Sequence, residues 1–146
     1  MSNDGIIDEL AFDSMKNFLP AIKKFHEGVL DFEFLKDDVE AIILFGSYAR
    51  SEQTSRSDID VCVVCGNKKE KIEKVWGKIL ESGITEKYDV KIFELLPLKM
   101  KISVIKEGKV LYAKNEIELF YYFRFFRKLW EDEVIAKRKL GINLEI

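Results

Sequence analysis

Apolar and polar positions change their period several times along the chain, and each change marks an element. From Asp13 to about Leu30, Phe18, Ile22, Phe25 and Val29 recur at helical intervals. Asp13 or Ser14 can cap that helix, and Pro20 kinks or starts it. Ala41-Ile42-Ile43-Leu44-Phe45 is a short apolar run stopped by Gly46, the pattern of a strand covered on both faces. Ile59 to Cys65 is a second such run, rich in β-branched residues. Between the two, Ser47 to about Gln53 suits a short helix, and Thr54-Ser55-Arg56-Ser57 suits a polar connection. Lys68 to about Ser82 sets Ile72, Val75, Trp76, Ile79 and Leu80 on one side and lysines and glutamates on the other, and Gly83 closes it; this predicts an amphipathic helix. Tyr88 to Phe93 alternates as a third strand. Leu98 to Lys106 reads as helix, Val110-Leu111-Tyr112 as a short extended segment, and residues from about Glu116 to Lys139 as a long final helix. Strands and helices that alternate in this way predict an α/β (α+β) fold, a small mixed β-sheet with helices packed on it.

Composition narrows the class. The 146 residues carry 24 Lys+Arg and 26 Asp+Glu, a formal charge of −2, with 47% hydrophobic residues. A chain of this size hides roughly 70% of its unfolded surface, so one core forms without disulfides or structural metal. With only Pro20 and Pro97, no Gly/Ser-rich linker and no repeat, residues 1–146 parse as a single domain. Its centre lies at about 40–112, between an N-terminal helical extension, 1–35, and a C-terminal helix, 116–140. The near-neutral charge supplies no general field for nucleic acid. No apolar run is long enough for a membrane helix, and Met1-Ser2-Asn3-Asp4 lacks the pattern of a signal peptide. A cytoplasmic location is expected, consistent with only two cysteines, Cys62 and Cys65.

The chemistry concentrates in Gly46-Ser47 at the end of one strand and Asp58-Ile59-Asp60 at the start of the next. Glycine permits a tight turn whose amides approach an anion, and Ser47 adds a hydroxyl at a helix start. Asp58 and Asp60, two apart in a strand, emerge on one face. Their mutual repulsion, roughly 4 kcal/mol at ~4 Å and an effective dielectric near 20, invites a divalent cation. Oxygen ligands beside a phosphate site point to Mg²⁺. Asp89, early in the third strand, is the best third carboxylate, with Lys91 sharing its face and Glu94 as the fallback. Together these predict nucleotidyl transfer.

At these residues the sequence resembles the DNA polymerase beta-type nucleotidyltransferase superfamily, and most closely its minimal single-domain members. The match lies in Gly46-Ser47-Tyr48-Ala49-Arg50, Ser57-Asp58-Ile59-Asp60 and Tyr88-Asp89-Val90, within residues of about 40 to 112. Where a glycine commonly follows the arginine, Ser51 stands here. The resemblance implies a two-metal Mg²⁺ site on Asp58, Asp60 and Asp89, which also act as the catalytic residues. It implies nucleotide contacts from Gly46, Ser47, Arg50 and Ser57. It also implies an NTP donor, ATP by likeness, and as acceptor a hydroxyl on a HEPN-domain toxin whose antitoxin this chain would be. Two alternatives are a non-catalytic nucleotide- or partner-binding antitoxin module and a small-molecule (antibiotic) nucleotidyltransferase.

Other residues are assigned packing roles. Cys62 and Cys65, three apart in a strand, face opposite sides and read as core thiols. His26 has no cluster in step with it, and Lys68-Lys69-Glu70-Lys71 reads as a solvated helix face. The final helix is aromatic around nearly its whole circumference, from Phe120 to Trp130, which exceeds what one packed face hides. It packs across the domain with the N-terminal helix, or it meets a protein partner such as the HEPN protein or a second copy. Base stacking beside Arg124, Arg127 and Lys128 is the weakest reading.

Overall fold

The computed structural model describes residues 30–46 and 59–141. The expected N-terminal helix with His26, and the short helix from Ser47, fall outside them. The described elements are strands β1 (Ala41–Phe45) and β2 (Ile59–Val64), helix α1 (Lys69–Ser82), strand β3 (Tyr88–Ile92), helix α2 (Leu98–Glu107), strand β4 (Lys109–Ala113) and helix α3 (Glu116–Lys139). The sheet order is β3-β2-β1-β4. β1 runs antiparallel to β2 and to β4, whereas β2 and β3 are parallel, so the sheet is mixed as expected. A parallel neighbour needs a crossover, and α1 provides it between β2 and β3.

Alternation along the strands divides the core in two. On one face Ile42, Leu44, Val61, Val63, Val90 and Ile92 meet Val75 and Ile79 of α1 together with Phe32, Leu35 and Val39. On the other, Ile43, Cys62, Val64 and Val110 meet Ile102 and Ile105 of α2, Leu119 of α3 and the fully buried Phe93. Cys62 and Cys65 are buried, in opposite clusters, and are free thiols. Burial pushes the Cys65 thiol up to about 12, with the Glu94 carboxylate adding to the shift.

α1 ends where Gly83 takes φ +74, the left-handed conformation that releases a helix. Its lysines are not simply solvated. Lys71 pairs with Glu40 at 2.9 Å, and Lys74 (3.2 Å) and Lys78 both reach Asp38, fastening the helix to the segment that leads into β1. α1 also carries more apolar surface than the sheet covers: Val75 and Ile79 are buried, while Trp76 and Leu80 remain 37% and 54% exposed.

α3 starts at Asn115, whose side chain accepts the Glu118 N–H at 3.0 Å. Glu116 and Glu118 in its first turn and Lys137, Arg138 and Lys139 in its last complement the helix dipole. Tyr122, Phe123 and Phe126 surround Phe93, with ring centroids 5.9, 5.3 and 5.4 Å away. Packing across the domain thus accounts for one side of the aromatic helix. Tyr121, Phe125 and Leu129 lie on the side left exposed. None of the described helices is long and apolar enough to cross a membrane.

Candidate active site

Three described residues converge where β1 ends and β2 begins. In the β1–β2 ladder Asp60 stands opposite Phe45, the residue before Gly46, and in the β2–β3 ladder it stands opposite Asp89. Residues paired in a ladder share a face, so Asp60 and Asp89 project side by side from neighbouring strands. Ile59, Val61, Tyr88 and Val90 point the other way, into the α1 side of the core. The two carboxylates occupy the face that also holds Cys62 and Val64.

Gly46 is required twice over. Its φ is +73, a conformation that strains any residue with a Cβ. A Cβ there would also fall on the Asp60 carboxylate: it would meet Oδ2 first, with Cγ at 3.1 Å and the Asp60 Cβ at 3.3 Å. The turn after β1 and the carboxylate on β2 are therefore packed against each other, and this backbone cradle exists only because the residue is glycine.

Lys91, two residues beyond Asp89 on the same face, places Nζ 3.2 Å from Asp89 Oδ1. Both side chains are about two-fifths exposed, so the pair contributes little to stability. Its effect is to orient the Asp89 carboxylate along the strand.

Two hard carboxylates held in adjacent ladder positions repel each other, and a divalent cation would satisfy both. Oxygen donors of this kind, on a partly exposed face beside a tight backbone turn, suit Mg²⁺. Among the described residues no group of three His, Cys, Asp or Glu side chains is gathered for a metal. Ser47, Arg50, Ser57 and Asp58 lie outside the described residues.

The fallback acid, Glu94, is a correction. It sits in the short turn Phe93–Leu95 at the far end of β2 from Asp60, where its carboxylate accepts the Cys65 and Gly66 N–H groups, each at 2.9 Å, and the Tyr122 hydroxyl at 2.8 Å. Its lone pairs are committed to tying β2 to α3. Burial, reinforced by the nearby Glu94 charge, drives the Tyr122 phenol well above its ordinary value, so it stays a donor. A carboxylate just past a strand, alone among Phe93, Leu95 and Leu96, was the available signal that it serves the backbone.

Residues 32–117 match the family described as Polymerase beta, Nucleotidyltransferase. Over 94 residues the chain is 46% identical to a protein of Methanocaldococcus jannaschii named as a protein adenylyltransferase; the match spans 64% of this chain and 71% of that one. A second protein of the same name and organism is 33% identical over 104 residues, 68% of this chain and 95% of the relative. Among solved structures, a toxin-antitoxin with AMP-PNP superposes with a TM-score of 0.54 at 20% identity, covering 75% of this chain and 90% of that one. The toxin-antitoxin MntA-HepT gives 0.52 at 17% identity, covering 79% and 91%. The structural likenesses establish the fold.

Proposed function

Since the chain belongs to the polymerase beta nucleotidyltransferase family, we propose that it moves AMP from ATP to a hydroxyl on a protein, with a HEPN-domain toxin as acceptor and this chain as its antitoxin. The observation that supports this reading most directly is the ladder pair Asp60 and Asp89, one carboxylate set against the Cβ-less backbone of Gly46. A family of transferases fixes the reaction class, and a protein acceptor accords with the names of the relatives.

In this mechanism Asp60 and Asp89, joined by Asp58, would hold Mg²⁺. When bound there, such an ion would supply positive charge against the triphosphate and the departing pyrophosphate. Gly46, Ser47, Arg50 and Ser57 contact the nucleotide phosphates, through backbone N–H groups and the Ser47 hydroxyl. Asp89, kept in place by Lys91, takes the proton of the acceptor hydroxyl as its oxygen attacks the α-phosphorus. The new P–O bond forms in line with the α–β bridge. That bridge breaks, and pyrophosphate leaves with the bonding electron pair.

The test is transfer of label from ATP carrying it at the α-phosphate to a HEPN-domain protein, with Mg²⁺ present. Asp60→Asn and Asp89→Asn should each lower the rate by about 10²–10⁴-fold while leaving partner binding intact. Label transfer that is absent from the native chain, or that persists undiminished in Asp60→Asn, contradicts the enzyme. If binding of the partner survives both substitutions and no label ever moves, the chain acts by occlusion.

A further inference from the structure

β3 is the outer strand of the sheet, and among the described residues no strand pairs with its free side. Alternate residues of an edge strand turn their N–H and C=O groups outward, a template for another extended chain. Alongside this edge runs an open groove of about 580 Å³, floored by Asp89, Val90 and Lys91 and walled by Trp76 and Leu80 of α1. These are the two apolar α1 side chains that the sheet leaves uncovered. Val90 is buried on the α1 side, whereas Asp89 and Lys91 are half-exposed on the other, so the groove follows the rim of the sheet.

From this arrangement we propose that the acceptor is an extended hydroxyl-bearing segment of polypeptide that docks by adding a strand to the outer edge of β3. The inference rests on the nucleotidyl-transfer reading above and specifies how that reaction receives its second substrate. Strand addition solves a positioning problem. A residue that pairs opposite Asp89 must project from the same face as Asp89 and Asp60, one strand spacing of about 4.8 Å further along the row. A serine, threonine or tyrosine there presents its hydroxyl directly beside the carboxylate that takes the proton. The oxygen bonds to the α-phosphorus, the proton passes to Asp89, and pyrophosphate departs. Main-chain hydrogen bonds to β3 supply affinity for almost any sequence, and the Trp76 and Leu80 wall selects an apolar neighbour. A nucleic-acid hydroxyl has no amide backbone to complement this edge.

The probe is a set of short unstructured peptides, each with one central serine, threonine or tyrosine, offered to the full chain with Mg²⁺ and ATP labelled at the α-phosphate. Peptides should be labelled. In the best of them, methylation of backbone nitrogens one at a time should abolish labelling at alternate positions, the two-residue period of a strand. Trp76→Ala and Leu80→Lys should lower kcat/KM for the peptide about tenfold, through KM, with ATP affinity unchanged. Labelling of a folded protein or an RNA but of no peptide overturns strand addition and leaves the transferase standing. Methylation without the two-residue period, or a KM indifferent to both substitutions, does the same. No labelling of any acceptor, with ATP binding indifferent to Asp60→Asn, overturns both.

Discussion

Replacing Gly46 with alanine separates stability from function at a single atom. The added methyl group faces a left-handed backbone, about 1–2 kcal/mol, and then the Asp60 carboxylate, which must move. Because that carboxylate is partly exposed near the start of its strand, it can yield, and the fold should lose about 2–3 kcal/mol. Displacement of about 1 Å at a group that must be held in place is expected to cost nearer 10²-fold in rate. Gly46→Ala should therefore stay folded, melting several degrees below the native chain, yet transfer label far more poorly than that loss of stability explains, as thermal denaturation and the α-phosphate assay can show together. Asp38 is a purely structural contrast. Its hydrogen bonds from Lys78 and then Lys74 hold its pKa below the ordinary 3.8 against an opposing contribution from burial. A depressed carboxylate stabilises the fold above its unfolded value and loses that contribution as pH falls through the folded one. Asp38→Asn should then cost about 0.5–1 kcal/mol near neutrality, and the gap from the native chain should close as pH drops below 3.8, followed by urea denaturation across that range.

Between elements, the Glu94 carboxylate joins the end of β2, the turn after β3 and the inner face of α3 through three hydrogen bonds. Tyr122→Phe removes the link to α3 and keeps the ring in contact with Phe93, so a loss of about 1–2 kcal/mol is expected without loss of transfer. A lowered urea midpoint at constant slope would register it; an unchanged midpoint would show that packing alone holds the helix. This joint illustrates what can be read from a chain of letters. Among the described residues the strands and helices were legible to within a residue or two, because apolar period and the glycines at 46 and 83 are local signals. The common face of Asp60 and Asp89 was half legible: spacing sets which way a side chain points, but only the parallel register sets what stands beside it. Glu94 was misread because its partners lie 28 and 29 residues away in sequence. Trp76 and Leu80 do lie on the apolar side that helical spacing assigns them, but spacing reports only which side is apolar, whereas the width of the sheet decides how much of that side is covered.

For the molecule as a whole, α3 is the element whose two sides serve different ends. Its inner side closes the second core around Phe93, and truncating the partly buried Phe126, whose ring centroid lies 5.4 Å from that of Phe93, should cost about 2–3 kcal/mol, a large share of the stability of a domain this size. Its outer side keeps Ile117, Tyr121, Phe125 and Leu129 in one exposed stripe at i, i+4 spacing, with Phe125 61% exposed, beside Arg124 and Lys128. Stability explains the first set and gives no reason for the second. Aromatic and arginine side chains gathered on a helix are typical anchors of protein interfaces. A HEPN-domain partner seated on this stripe would leave the β3 edge, with Asp89 at its rim, available to an acceptor segment. Exchange of Phe125 and Leu129 for glutamate should consequently leave the melting temperature within about 2 °C of the native value, since both side chains already meet water. The same exchange should weaken capture of the HEPN protein by about 10²-fold or more in a binding isotherm. Label transfer to an isolated peptide acceptor should be untouched. Equal loss of both activities would place the acceptor on α3 and not on the sheet edge.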